Sequence, residues 1–246
     1  MGLKQDITDK IKAILDEKFE VEVVTCVPDL DNPKLTFGNK GLKFEATVLY
    51  IDMRGSTEIL NKHNKSTVAK IHMAYFHTIV RIANSLGGEV RSFNGDSLLV
   101  FFQGTTKARL SNAVLAAMQM KYMIANEDGG INQLLKKYSS IDFGIGIDYG
   151  EILCTKVGII GTNNRDLIWI GNSVNRSVVL SDGSKDPYYI AISDQVYNNL
   201  EDRVKYGIRK NLWGTEEQVD MWSSQTFNYN NRSETYYRTS WHWAVS

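Results

Sequence analysis

Two short strand patterns, at about 88–93 and 97–102, meet at Asn94-Gly95, and long helical patterns bracket them at about 66–85 and 107–126. Asn-Gly between such runs is the strongest short-range signal for a tight hairpin. The first helix is read from Val68, Ile71, His72, Tyr75, Ile79 and Ile82, and Gly87-Gly88 ends it. A hairpin held between two helices needs further strands to complete a sheet. Upstream, Phe44-Glu45-Ala46-Thr47-Val48-Leu49-Tyr50-Ile51 is a β-rich run that stops at Asp52 and Gly55. A run that ends in small and polar residues reads as a buried strand feeding a loop or a helix start. Downstream, 141–149 and 151–157 read as a second hairpin about Tyr149-Gly150, followed by a strand near 165–170 and a helix over 172–181.

The order strand, helix, strand, strand, helix, strand is the split βαβ arrangement, so the predicted fold is an α+β, ferredoxin-like sandwich. Two extensions flank it. Ile7, Ile11, Ile14 and Leu15 predict an amphipathic helix over 5–18, and Pro28 to Lys40 is a loop rich in Asp, Asn, Pro and Gly. The chain therefore divides into an N-terminal helix and loop, 1–40, and a main domain, 41–246. The tail from Asn211 is rich in Trp, Tyr, Asn and Thr, and Thr235 to Val245 reads as a closing strand.

Composition narrows the function classes. Apolar residues make up 43% and charged residues 23% of 246, which excludes disordered, collagenous and coiled-coil chains. Basic and acidic residues balance at 28 each, so bulk charge predicts no nucleic-acid partner, and a phosphate site must come from local arrangement. Cys26 and Cys154 form neither a disulfide framework nor a metal spacing and read as buried thiols of a reducing cytosol. No apolar run reaches the roughly 20 residues of a membrane span. The polar start, Met1-Gly2-Leu3-Lys4-Gln5-Asp6, is neither a secretory signal nor a myristoylation motif. A cytoplasmic chain without a membrane partner is expected.

Chemistry concentrates at two carboxylates. Asp52 ends the first central strand and Asp96 lies at the Asn94-Gly95 turn, and the split βαβ fold places that strand beside that hairpin. Adjacent carboxylates repel unless one is protonated or a cation joins them. Mg²⁺ suits one or two carboxylates with room left for substrate phosphates. Arg54-Gly55-Ser56-Thr57 would then open a helix whose free N–H groups favour phosphate. The plainer alternative is that Asp52 and Ser56 cap that helix and Asp96 shapes a turn.

Here the sequence resembles the class III nucleotidyl cyclases. Val48 to Thr57 resembles their first metal motif, and Gly88-Glu89-Val90-Arg91-Ser92-Phe93-Asn94-Gly95-Asp96 the second. Phe143-Gly144-Ile145-Gly146-Ile147-Asp148-Tyr149-Gly150 resembles the central glycine-rich hairpin, and Ile170-Gly171-Asn172-Ser173-Val174-Asn175 the motif with the catalytic asparagine. The resemblance implies that Asp52, Asp96 and the Met53 carbonyl hold two Mg²⁺ or Mn²⁺ ions, one acidifying the ribose 3′-hydroxyl and one clamping the triphosphate. It also implies that Arg54, Gly55, Ser56 and Thr57 meet phosphate, that Asn175 orients the ribose, and that active sites form at a homodimer interface.

The sequence departs from the family in two places. The arginine expected four residues after Asn175 is Val179, and Arg176 is a candidate substitute. The positions that select purines carry Ser92 and Ile168, while Tyr50 adds bulk two residues before Asp52. A purine edge would lose a polar partner, at about 1–3 kcal/mol for each group left unpaired. This combination resembles the pyrimidine (uridylate/cytidylate) cyclases of the bacterial Pycsar anti-phage system. It implies UTP, ahead of CTP, as substrate and a separate effector protein that senses the cyclic product. The alternatives are an adenylate or guanylate cyclase and a degenerate nucleotide-binding or dimerisation module. A diguanylate cyclase is rejected, because Val90-Arg91 supplies neither the second acidic residue nor the Phe it needs.

Overall fold

A computed structural model describes residues 2–125, 129–159 and 163–245. Helix α1 (Leu3–Asp16) and strand β1 (Glu20–Val23) precede the long strand β2 (Lys40–Arg54). Helices α2 (Ser56–Lys62) and α3 (Lys65–Ser85) follow, then the hairpin β3 (Glu89–Asn94) and β4 (Ser97–Gln103). Helix α4 (Lys107–Ala125) and the short α5 (Ile131–Leu134) lead to β5 (Asp142–Gly158), β6 (Arg165–Ile170) and α6 (Asn172–Gly183). The chain continues through β7 (Ile190–Ser193), α7 (Asp194–Asn198), α8 (Asp202–Lys205), β8 (Tyr206–Lys210) and β9 (Glu216–Asp220). It closes on the hairpin β10 (Ser223–Tyr229) and β11 (Arg232–Thr239).

Among the described residues, nine strands form one sheet with the path β10-β11-β7-β5-β2-β4-β3, with β1 beside β2 and β6 beside β5. The segment β5-β2-β4-β3 is the split βαβ order predicted from the sequence. Strand alternation sorts β2 between two layers. Leu49, Ile51 and Met53 face the core built with α3 and α4, while Leu42, Phe44, Ala46 and Val48 face a second cluster with Ile152 and Trp169. The second layer also takes in Val27 and Leu35, so 20–40 is built into the sheet, whereas α1 buries no residue.

Three expectations need correction. Residues 141–157 do not form a hairpin. Strand β5 is unbroken and pairs with β2 from Arg54↔Asp142 to Gly41↔Thr155. The glycines there serve packing: a Cβ on Gly144 would lie 2.3 Å from Ser181 O, and one on Gly146 1.9 Å from Ser177 O. They let α6 sit directly on the strand, the use of strand glycine for close backbone approach. The closing strand stops at Thr239, with 240–245 outside any strand. Cys26 is exposed, because it lies in the loop beyond β1, while Cys154 is buried among apolar neighbours that push its thiol up to about 12.

Candidate active site

Register alone brings the two carboxylates together. The β2–β4 ladder ends at Asp52↔Ser97, and the next residues back along the chain are the turn pair Gly95 and Asp96. Gly95 turns the chain at a φ of 65°, a left-handed value that glycine adopts without strain. The Met53 N–H donates to the Asp96 carbonyl at 3.4 Å. The Asp52 carboxyl is pushed up to about 6. Burial is the largest cause, then the negative charges of Asp96 and Asp182, with Arg54 opposing. Two carboxyls that cannot both ionise cheaply are the setting a divalent cation relieves, so this donor set fits one.

Arg54 is placed differently from the sequence expectation. Its Nη2 donates to the carbonyls of Ser181 at 2.7 Å and Asp182 at 2.9 Å, the last turn of α6. The guanidinium thus caps a helix C-terminus, where a cation is favoured, and is not free for phosphate as a fork. Gly55, at a φ of 68°, is the N-cap of α2, and no side chain among the described residues caps that helix, so neither Asp52 nor Ser56 does so. Ser56 and Thr57 form its first turn. Arg54 and Gly55 line a cleft of about 590 Å³ with Lys62 and Ser139.

Asn175 lies elsewhere. It is exposed in the first half of α6 and lines a second cleft of about 580 Å³ with Tyr149, Gly150 and Gln195. Asp182, whose charge is felt at Asp52, is seven residues further along the same helix, a rise of about 10 Å. Within one chain Asn175 therefore sits about two turns of α6 from the helix end whose charge reaches Asp52.

The neighbouring Arg176 is not available as a substitute catalytic arginine. Its Nη1 donates to Asp148 Oδ2 at 2.9 Å, its Nη2 to Glu234 Oε1 at 3.2 Å, and the Tyr229 ring lies 5.0 Å from its guanidinium carbon. Asp148 is fully buried on β5, and burial raises its carboxyl while Ser193 and Arg176 oppose. Arg176 is committed to neutralising that acid.

The three base-selecting candidates do not all meet. Tyr50 and Ser92 share one cross-strand row, Tyr50↔Leu99↔Ser92, on the face that carries Asp52. Tyr50 is half-buried, and burial raises its phenol. Ile168, 41% exposed on β6, sits opposite Thr155 and so at the other end of the β2–β5 ladder. Sequence reading missed Asp148, Asp182 and Glu234. A lone acid at an apolar strand position was the one signal for Asp148; the others need the fold.

Comparison with known proteins identifies the family. The model of the adenylate and guanylate cyclase catalytic domain matches residues 41–235. A uridylate cyclase of Xanthomonas perforans is 30% identical and one of Burkholderia cepacia 29%, both over the full length of each chain. The crystal structure of the guanylyl cyclase Cya2 superposes with a TM-score of 0.65 at 19% identity, covering 81% of this chain and 93% of that one. The adenylyl cyclase CyaB of P. aeruginosa gives 0.62 at 19%, covering 81% and 95%. With that family match over most of its length, the chain belongs to the adenylate and guanylate cyclase catalytic domain family and is a class III nucleotidyl cyclase.

Proposed function

We propose that this cyclase converts a pyrimidine nucleoside triphosphate, UTP ahead of CTP, into the 3′,5′-cyclic nucleotide and pyrophosphate. The observation that carries the chemistry is the Asp52–Asp96 pair at the end of the β2–β4 ladder. Asp52, Asp96 and the Met53 carbonyl would hold two Mg²⁺ or Mn²⁺ ions, which neutralise triphosphate charge and acidify the ribose 3′-hydroxyl when bound. The Asp52 carboxyl, pushed up to about 6 mainly by burial, is the group whose charge such a cation would favour. The N–H groups of Gly55, Ser56 and Thr57 flank the triphosphate, with Arg54 holding α6 against the strand end. The Asn175 amide orients the ribose so that its 3′-oxygen attacks the α-phosphorus as pyrophosphate leaves.

Base choice rests on Tyr50 and Ser92. The half-buried Tyr50 ring stands two residues before Asp52 and narrows the space beside it, while the short Ser92 offers no long arm to a purine edge. The exposed apolar Ile168 offers no polar partner either. The uridylate cyclase names of the full-length relatives support the same choice.

The separation of the acidic pair from Asn175 supports a homodimer in which each site takes the carboxylates of one chain and the asparagine of its partner. Two-fold symmetry then gives two equivalent sites. On the resemblance alone, the product is read as a second messenger for a separate effector protein in anti-phage defence. The test is incubation with each of the four triphosphates and Mn²⁺, with pyrophosphate measured and products identified by mass. Fastest turnover of UTP is expected. Faster turnover of ATP or GTP overturns the base assignment, and no pyrophosphate from any of them makes the chain a binding or dimerisation module.

A further inference from the structure

Of the three positions read as base-selecting, Ser92 and Ile168 give a base edge no long polar partner, and Tyr50 acts by bulk. They restrict what enters without hydrogen-bonding a pyrimidine. A site that discriminates strongly does so through polar groups that the wrong substrate leaves unpaired. The cleft that Asn175 lines holds such groups. At about 580 Å³ it has the size that takes a small ligand. Among the described residues, every charged side chain on its wall is engaged: Asp148 with Arg176 at 2.9 Å and Glu151 with Lys43 at 2.9 Å. That leaves no free cation there for phosphate, so the cleft suits the uncharged part of a nucleotide. The unpaired groups on its wall are neutral. Ser173 is 2% exposed, and its hydroxyl has no hydrogen-bond partner among the described residues. Gly150 leaves the space beside it, since a Cβ there would lie 3.3 Å from Ser173 Oγ. Gln195 lines the same cleft from α7; it is exposed, and its carboxamide makes no hydrogen bond among the described residues.

We propose that Gln195 is a specificity-determining residue that reads the pyrimidine ring, with the buried Ser173 hydroxyl as a second partner in the same cleft. The inference rests on the reading of the chain as a pyrimidine cyclase and names the groups that bind the base. A carboxamide carries an acceptor and a donor side by side. The uracil edge presents its N3–H between two carbonyl acceptors. Gln195 Oε1 accepts from N3–H while Nε2 donates to O4. The other carbonyl, O2, lies on the ribose side and falls to Ser173, two residues before Asn175 on α6. Cytosine reverses the first two roles, because its N3 accepts and its N4 donates, so a carboxamide pairs with it by turning over. A carboxylate at position 195 would instead accept from cytosine N4 and repel uracil O4.

The test uses the full chain as wild type, Q195L, Q195E and S173A. Pyrophosphate release is measured at saturating Mn²⁺, with inorganic tripolyphosphate as a competitor that carries no base. Gln195 is exposed and its side chain is unbonded, so both of its variants should keep the wild-type thermal midpoint. Q195L should raise KM for UTP roughly 10–100-fold, and S173A about two- to tenfold. Inhibition by tripolyphosphate, which has only the phosphate end of a substrate, should not change. Q195E should raise the ratio of kcat/KM for CTP over UTP about tenfold or more. Unchanged KM in Q195L, beside a wild type that prefers UTP, overturns the role of Gln195 and leaves the pyrimidine reading standing. Tripolyphosphate inhibition that weakens in step with KM also overturns it, because the variant would then disturb the whole site. A wild-type ratio in Q195E overturns hydrogen-bonded readout of the base, and unchanged KM in S173A overturns the Ser173 contact. A wild type that turns over ATP or GTP faster than either pyrimidine removes the proposed function and this inference together.

Discussion

Arg176→Met tests whether the arginine beside Asn175 holds the fold or meets the substrate. Asp148 is fully buried and the Arg176 side chain is 22% exposed, so their pair is shielded on the acid side only. Removing one partner of a fully buried pair costs about 3–5 kcal/mol. Exposure of Arg176, and the option for Asp148 to take up a proton, reduce that to about 2–3 kcal/mol here. The Glu234 contact adds little, since its side chain is 29% exposed. Asp148→Asn should cost less, about 1 kcal/mol, because Arg176 keeps Glu234 and the Tyr229 face. The double variant leaves no stranded charge and should recover about 1.5–2 kcal/mol relative to the sum of the single losses. Urea unfolding of the four proteins at one concentration and pH gives this cycle, and pyrophosphate release is measured on the same samples. Additivity within about 0.5 kcal/mol would refute the pair as an energetic unit. A double variant that regains stability yet stays about a hundredfold below wild type in turnover would assign Arg176 to the substrate, against its bonding to Asp148 and Glu234.

Three further outcomes are expected. Gly146→Ala, whose Cβ would sit 1.9 Å from Ser177 O, should lift α6 from β5, lower stability by about 1–3 kcal/mol and cut turnover. Gly183→Ala, with nothing within 4 Å, should do neither, and wild-type thermal midpoint and turnover in G146A would contradict the packing argument. The metal-free protein should lose stability as pH rises from about 4 to about 6, because Asp52 binds its proton more tightly folded than unfolded. After solvent screening the loss is on the order of 1 kcal/mol, and pH-dependent urea midpoints should be flatter in D52N; equal slopes would refute the assignment. Chains carrying Asp96→Ala and Asn175→Ala, each inactive, should regain up to about half the wild-type rate per mixed dimer. Tagged heterodimers that form yet stay inactive would exclude independent sites shared between chains.

The sheet was legible because its signals are local. The hairpin at Asn94-Gly95, the two long helical patterns and the Phe44–Ile51 run fix β5-β2-β4-β3 in order, and that order carries Asp96 to Asp52. Strand β2 runs on to Arg54 because Met53 is buried between two polar neighbours, a period of two that the run's polar end concealed. Tyr149-Gly150 misled for a related reason. Glycine marks turns, but in β5 Gly144 and Gly146 mark where the α6 backbone approaches and Gly150 meets the Ser173 side chain of the same helix, and α6 is the missing information. Arg176 stood next to Asn175 in sequence, yet its partners lie on β5 and β11. No spacing rule reaches them. Arg54 was read as a phosphate ligand from its motif neighbours, while its hydrogen bonds belong to a helix end more than a hundred residues away.

Helix α6 joins these misread residues into one arrangement. Gly144 and Gly146 let it lie on β5 at backbone contact, Ser181 Oγ donates to the Gly144 carbonyl at 2.8 Å, and Arg54 ties its last turn to the strand that carries Asp52. Arg176 ties its first half to Asp148 and to the β10–β11 hairpin. A helix fastened at both halves cannot bring Asn175 toward the acidic pair of its own chain without breaking one of those ties. The distance of about 10 Å along its axis is therefore a fixed spacing, which is the observation that supports the proposed homodimer. The same ties join the strand end that carries Asp52 to the helix that carries Asn175, with Arg54 as the link between them.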